Sequence, residues 1–257
     1  MTRTETAPSS ILVDVELPNP APLSPALVDL LSSLRVVLVG WYAVPEQTSP
    51  EQARDQFEEQ ALAALDTIAE PFEKAGGEVV QRLVFTGDQL DTIRRISSEE
   101  DCDAVLIPAE MSHLERILVP LRGLPNARRI APLVADLVRD GTTDVTLLHV
   151  LEEEESEATS REHVLRPAAD LMTGQGIDAG LLRLETVTAD DPAHTIVDIA
   201  ADYDAVVLGE TKPSVREILF GSVPEQIVES VRVPVIMVRH GHDEVQVAER
   251  VVQADEN

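Results

Sequence analysis

The sequence is poor in several things at once. It holds one cysteine in 257 residues, an aromatic content of only 3%, and 20 Lys+Arg against 47 Asp+Glu. Cys102 has no second cysteine to pair with, so an internal disulfide is excluded, and no ligand spacing resembles a zinc site. A formal charge of -27 and a pI near 4.4 repel phosphate backbones and anionic lipid over most of the surface. Nucleic-acid and membrane-surface binding are set aside on that ground. The longest apolar stretch, Val36 to Val44, is far shorter than the ~20 residues a bilayer span needs. Met1 to Ser10 is polar and lacks the apolar core of a secretion signal, so the expected location is the cytoplasm.

The excess of acid has a physical reading of its own. Lysine occurs only at 74 and 212; the other 18 basic residues (20 − 2) are arginines. Repulsion among the 27 excess charges opposes a compact state at low salt, but the Debye length falls to about 3 Å near 1 M. Two readings fit: a halophilic protein built for a very salty interior, or an ordinary acidic, highly soluble one. Hydrophobic residues make up 44%, enough for real cores, and the length suits one large or two small domains.

Short apolar runs without alternation recur along the chain: Ile11 to Val15, Arg35 to Val44, Asp103 to Pro108, Arg116 to Leu121, Asp144 to Leu151, Asp204 to Gly209 and Val233 to Val238. Strands apolar on both faces belong inside parallel sheets covered by helices. Helix-period segments lie between them, including Pro50 to Lys74, Asn126 to Arg139, Ser160 to Thr173 and Ala193 to Asp202. The alternation predicts an α/β protein.

The order then repeats, with Ile11-Leu12-Val13 answered by Ile117-Leu118-Val119 and Val36 to Trp41 by Val145 to Val150. Gly87-Asp88, Thr92-Ile93 and Asp103-Ala104-Val105 correspond to Asp190-Asp191, Thr195-Ile196 and Asp204-Ala205-Val206. Two tandem open parallel-sheet, Rossmann-like units are expected, 1–112 and 113–240, followed by an acidic tail over 241–257. The first is truncated after its fourth strand, because Ala109 to Glu115 leads almost at once into the second unit.

Parallel sheets bind ligands beyond the carboxyl ends of their strands. In the second unit those ends present Pro120 to Gly123 and Gly209 to Lys212, and a further loop closes on Gly221-Ser222-Val223-Pro224-Glu225. Ser222 and Glu225 have capping-box spacing, and a helix starting there offers free N–H groups and a positive dipole end to a phosphate. Each piece also has a plain reading: Gly221-Ser222 as a simple helix start, Gly209 as a strand end, Lys212 and Arg216 as solvated charges.

The segment from Asp204 to Val238 resembles the C-terminal half of a universal stress protein domain, whose pattern is glycine, two residues, glycine, nine residues, then glycine with serine or threonine. Ile117 to Gly123 is similar to that family's first strand, and Asp191-Pro192 to its Gly-Asp-Pro turn. The likeness extends over 117–239, and more faintly over 11–112. It implies a five-stranded sheet of order 3-2-1-4-5 and binding of ATP, with or without Mg. By the resemblance, Val119 and Pro120 would lie beside the base, while Gly209, Lys212, Gly221, Ser222 and Val223 would hold ribose and phosphates. The chain departs from the pattern at three places: Lys212 replaces the second glycine, the spacer is eight residues, and Arg122 stands where an acidic residue is expected.

The first unit lacks the loop and helix that would seat an anion and is expected to bind no nucleotide. Asp14 and Glu16 at its strand end raise a metal or phosphoacceptor reading that no paired lysine supports. His149 reads as a core histidine, His240 and His242 as incidental, and Trp41 as core or interface; no nucleophile motif points to an enzyme. The strand Val233 to Val238 is expected at an apolar sheet edge, pairing two copies as a homodimer. Function then reads as a non-enzymatic, ATP-sensing stress protein, or else a ligand-free regulatory module with a protein partner.

The halophilic reading makes a direct prediction. Raising KCl from about 0.1 M to about 2 M should raise the melting temperature substantially in scanning fluorimetry. An unchanged melting temperature would leave only the ordinary acidic reading.

Overall fold

A computed structural model describes residues 7–44, 48–139, 141–151, 156–210, 227–228 and 230–239. Its first half runs β1 (Ser10–Leu17), α1 (Pro25–Leu31), β2 (Arg35–Ala43), α2 (Pro50–Lys74), β3 (Glu78–Thr86), α3 (Gln89–Glu99) and β4 (Ala104–Ile107). The second runs β5 (Arg116–Pro120), α4 (Leu124–Leu137), β6 (Asp144–Leu151), α5 (Glu157–Ser160), α6 (Arg166–Gly174), β7 (Leu182–Thr188), α7 (Pro192–Ala200), β8 (Ala205–Gly209) and β9 (Val235–Val238). A π-helical turn over Arg161–Leu165 joins α5 to α6.

The helices start where short polar side chains can cap them. Ser24, Ser49, Asp88 and Asp191 each accept the backbone N–H three residues on. Pro25, Pro50 and Pro192 occupy the first helical turns, where no intrahelical N–H is needed.

Matching sequence segments of the two halves make matching hydrogen bonds. Thr92 Oγ1 donates to the Asp88 carbonyl and Thr195 Oγ1 to the Asp191 carbonyl, at 2.7 and 2.9 Å. Asp103 accepts the Ser10 N–H at 2.7 Å, as Asp204 accepts the Arg116 N–H at 2.8 Å. The repeated letters of the sequence are thus the residues that close each helix start and tie each fourth strand to its first.

All the described strands lie in one nine-stranded sheet of order β3-β2-β1-β4-β9-β8-β5-β6-β7. The second half therefore has the strand order 3-2-1-4-5, ending on β9. One face is covered by α1, α2, α4 and α6 over a core continuous across both halves, from Ile11 and Leu65 to Ile117, Val134 and Met172. On the other face, Ile96 and Cys102 pack over Leu12, Val37 and Val39. The second half buries Leu118, Ile196, Ile227 and Met237 there.

The last strand corrects an expectation. β9 is parallel to β8 on one side and antiparallel to β4 on the other, with Ala104 opposite Val238 and Ile107 opposite Val235. The apolar segment expected at an open edge is a central strand, and the edge on which a homodimer through Val233 to Val238 depended is occupied within the chain. The reason lies in the truncation itself. The first half ends on β4, whose outer edge has no strand of its own, and β9 satisfies that edge and its own together.

Arg239 fastens the seam. Its N–H donates to the Asp103 carbonyl at 2.8 Å. Its guanidinium donates to the carbonyls of Ser97 (2.7 Å) and Cys102 (3.1 Å) and to Ser98 Oγ (3.0 Å). These groups surround the C-terminal end of α3, where the helix dipole favours a cation. A second tie runs from Ser9, whose N–H and hydroxyl both donate to Asp136 Oδ2 at 2.9 and 2.7 Å. Burial alone would raise that carboxyl, but the Ser9 bonds and Arg139 outweigh it and hold Asp136 below its ordinary range.

Replacing Arg239 by alanine removes three charge-assisted hydrogen bonds and should destabilise the protein by about 2–3 kcal/mol in chemical denaturation. Arg239→Lys should recover only part of it, since an ammonium cannot reproduce the fork across Ser97, Ser98 and Cys102.

Candidate functional site

The strands that form the centre of the second half part company at their carboxyl ends. β5 and β8 pair through Ile117 with Ala205 and Leu118 with Val206. Beyond that, β5 stays with β6 as far as Pro120 opposite Leu148, while β8 stays with β9 as far as Gly209 opposite Val238. Here the connection after β5 leaves toward one face of the sheet, where α4 packs, and the described residues between β8 and β9 lie on the other, the topological point at which open α/β sheets receive ligands.

Of the residues expected to form a site, Val119 and Pro120 end β5 and are buried, Val119 within the core, and Gly209 ends β8. Lys212, Gly221, Ser222 and Val223 lie outside the described residues, as do Arg216, His240 and His242. Arg122 is exposed on the loop that leads into α4. The N-cap of that helix is Gly123, with no side chain bonding its first turn.

Asn126, in the first turn of α4, is a residue that sequence reasoning missed. A Cβ built on Gly209 would come 2.3 Å from Asn126 Nδ2, 2.9 Å from Cγ and 3.2 Å from Oδ1. The carboxamide therefore packs against the glycine with Nδ2 nearest, and only a residue without Cβ leaves room for it. Asn126 Oδ1 is buried and has no hydrogen-bond partner among the described residues. No motif announced it, because the signal is a distance between α4 and β8 rather than a spacing in the chain.

His149 is buried on β6, and its Nδ1 lies 2.7 Å from the Leu121 carbonyl, which it holds in place at the end of β5. This agrees with the reading of a core histidine. A Ser–His–Asp contact chain that no motif predicted lies at the opposite end of the sheet. Ser112 Oγ is 2.8 Å from His113 Nδ1, and His113 Nε2 is 3.4 Å from Asp204 Oδ1. The His113 side chain is 59% exposed, and Asp204 already accepts the N–H groups of Glu115 and Arg116. These contacts fix the link between the two halves to the start of β8.

At the carboxyl end of β1 in the first half, Asp14 accepts a 2.8 Å hydrogen bond from Gln89 Nε2. The Trp41 indole N–H is buried there without a partner of good geometry among the described residues. Burial raises the Asp14 carboxyl above its ordinary range, and the Gln89 bond offsets this only in part. Glu16 is exposed, and no group of three or more metal-ligating side chains occurs among the described residues. Burial also pushes the Cys102 thiol up to about 11, which keeps it an unreactive core side chain. No described helix is long and apolar enough to cross a membrane.

Comparison with known proteins gives the fold a context. Residues 113–239 match the family model of the Universal stress protein family. A universal stress protein from Archaeoglobus fulgidus DSM 4304 is 16% identical, with 91% of this chain and 97% of that one covered at a TM-score of 0.64. A putative universal stress protein from Pseudomonas aeruginosa UCBPP-PA14 is also 16% identical, with 96% and 98% covered at 0.60. Both align along nearly the whole chain, so the likeness of fold includes the first half. No curated protein matches the chain.

Asp14 yields a prediction whose sign can be worked out. A carboxyl raised on folding contributes stability below the ordinary Asp range of about 4 and loses it as pH rises through the folded value. Asp14→Asn should therefore melt at a higher temperature than the parent at pH 7, and the difference should shrink on acidification toward pH ~4.

Proposed function

We propose that this chain is a stress-response protein that binds an adenine nucleotide in the crevice between β5 and β8, on the premise that its residues 113–239 belong to the universal stress protein family. The observation that carries the reading is the parting of β5 and β8 at the sheet's central switch point, with Gly209 as one lip and Pro120 as the other. The residues present suit such a ligand. Val119 and Pro120 would offer an apolar wall to a base, and the space beside Gly209 holds the Asn126 carboxamide, whose Oδ1 has no partner among the described residues.

ATP, with or without Mg, is the nucleotide this reading favours. Lys212, next to the β8 lip in sequence, would contribute charge to the phosphates, and Gly221, Ser222 and Val223 would contribute backbone donors. The protein acts by binding rather than by turnover, in the cytoplasm. Gly209 pairs with Val238, and Arg239 follows at once, so a ligand that moves the β8 end would pull on the seam and on α3 of the first half. Nucleotide would in this way be reported at the surface of both halves.

Titration with Mg-ATP at about 2 M KCl, followed by scanning fluorimetry and calorimetry, should give a saturable rise in melting temperature by about millimolar ligand. No response at that concentration would reject nucleotide sensing and favour the alternative of a regulatory module that acts through a protein partner.

A further inference from the structure

We infer that the outer edge of β3 takes up an extended, basic segment of another protein as a tenth strand. β3 stands at one end of the sheet, and its ladder to β2 runs unbroken from Glu78 opposite Arg35 to Thr86 opposite Ala43. The Thr86 carbonyl accepts the Val44 N–H on the β2 side. Alternate residues of a strand turn both backbone groups to the same neighbour, so Val79, Gln81, Leu83 and Phe85 turn theirs outward. Among the described residues, these outward groups have one contact, from the Arg82 guanidinium to the Gln81 carbonyl at 3.5 Å. Sheets guard such edges with proline, lysine, a bulge or a covering side chain. β7, at the opposite end, has such a cover, since Arg161 Nη2 donates to the Leu184 carbonyl at 2.9 Å. β3 has neither proline nor lysine, its register holds no bulge, and Arg82 is drawn to Glu100.

The flank of this edge sets the chemistry of the occupant. A shallow groove of about 300 Å³ lies between α2 and β3, lined by Asp66, Thr67, Glu70 and Glu73 of the helix and Gln81 of the strand. Lys74 pairs with Glu70 at 2.7 Å, while no described cation pairs with Asp66 or Glu73. Leu62, 43% exposed, stands one turn before Asp66 on the same helical row. An added strand places every second side chain on this face. Lysines or arginines there meet the carboxylates, and an apolar residue meets Leu62. A second copy of this chain, paired antiparallel, would set its own acidic row beside this one, in a molecule of formal charge -27. The occupant is therefore a basic partner rather than another copy.

The probe is a peptide the length of β3 with alternating lysine and valine. Its controls are a glutamate-valine peptide and a lysine-valine peptide N-methylated at every second residue, which keeps the charge and loses backbone donors. Fluorescence anisotropy on the full chain at about 0.5 M KCl should show the lysine peptide binding about tenfold tighter than either control. Amide exchange should slow at Val79, Gln81, Leu83 and Phe85. Gln81→Pro removes an N–H that points away from β2, so it should keep the ladder and abolish binding. Asp66→Lys with Glu70→Lys should reverse the preference between the lysine and glutamate peptides. No binding of the lysine peptide, equal binding of its methylated form, or unchanged exchange at those four amides would overturn strand addition. A dimer in light scattering that Gln81→Pro disperses would give the edge to a second copy and overturn it too. The peptide comparison needs no variant, so it decides the matter even where Gln81→Pro fails to fold, and none of these readouts involves nucleotide.

Discussion

The two halves share one sheet because of a strand of four residues. Val235 to Val238 spend one hydrogen-bonding edge on β8 and the other on β4, and all four side chains are buried. A fully buried aliphatic side chain contributes about 1.5–3 kcal/mol, so the strand's apolar content alone is a sizeable stabilising term. Its position matters more than its size. Without it, β4 and β8 would each present an unpaired row of backbone donors and acceptors at the centre of the sheet. Arg239 and the Ser9–Asp136 contacts act on either side of that seam, and the core under α1, α2, α4 and α6 runs across it without a break.

Most of the fold was legible in the sequence because its signals are local. Apolar runs such as Val36 to Val39 give strands; Asp88 and Asp191 start helices three residues ahead of the N–H groups they accept; and the repeated Asp103 and Asp204 mark each fourth strand. The pairing of β9 was not legible, since a strand's neighbours depend on what other edges remain open. The truncation of the first half was visible, and so was an apolar last strand, yet both were compatible with pairing between chains. Joining them within one chain requires the two halves to face each other, which no local pattern encodes.

The candidate site divides in the same way. Val119, Pro120 and Gly209 could be placed at strand ends from the sequence, and the structure has them at the carboxyl ends of the neighbouring strands β5 and β8. Asn126 could not, because its importance comes from lying against Gly209 across a gap between a helix and a strand 83 positions further on (209 − 126). An asparagine in a first helical turn is ordinary; an asparagine whose carbonyl oxygen is buried unpaired beside a glycine is not. The Ser112–His113–Asp204 contacts carry the opposite lesson. Residue types that sound catalytic can serve to fasten a linker when the carboxylate is already committed to backbone N–H groups.

The shared strand also bears on how such a chain can change over generations. A duplicated gene normally leaves each copy free to be deleted, reordered or multiplied, because each copy finishes its own sheet. Here the closing strand of the second half also completes the sheet of the first, so neither half's sheet is finished without the other. Splitting the gene between them would strand an unfinished domain, and appending a third copy upstream would find no vacant edge at the seam to join.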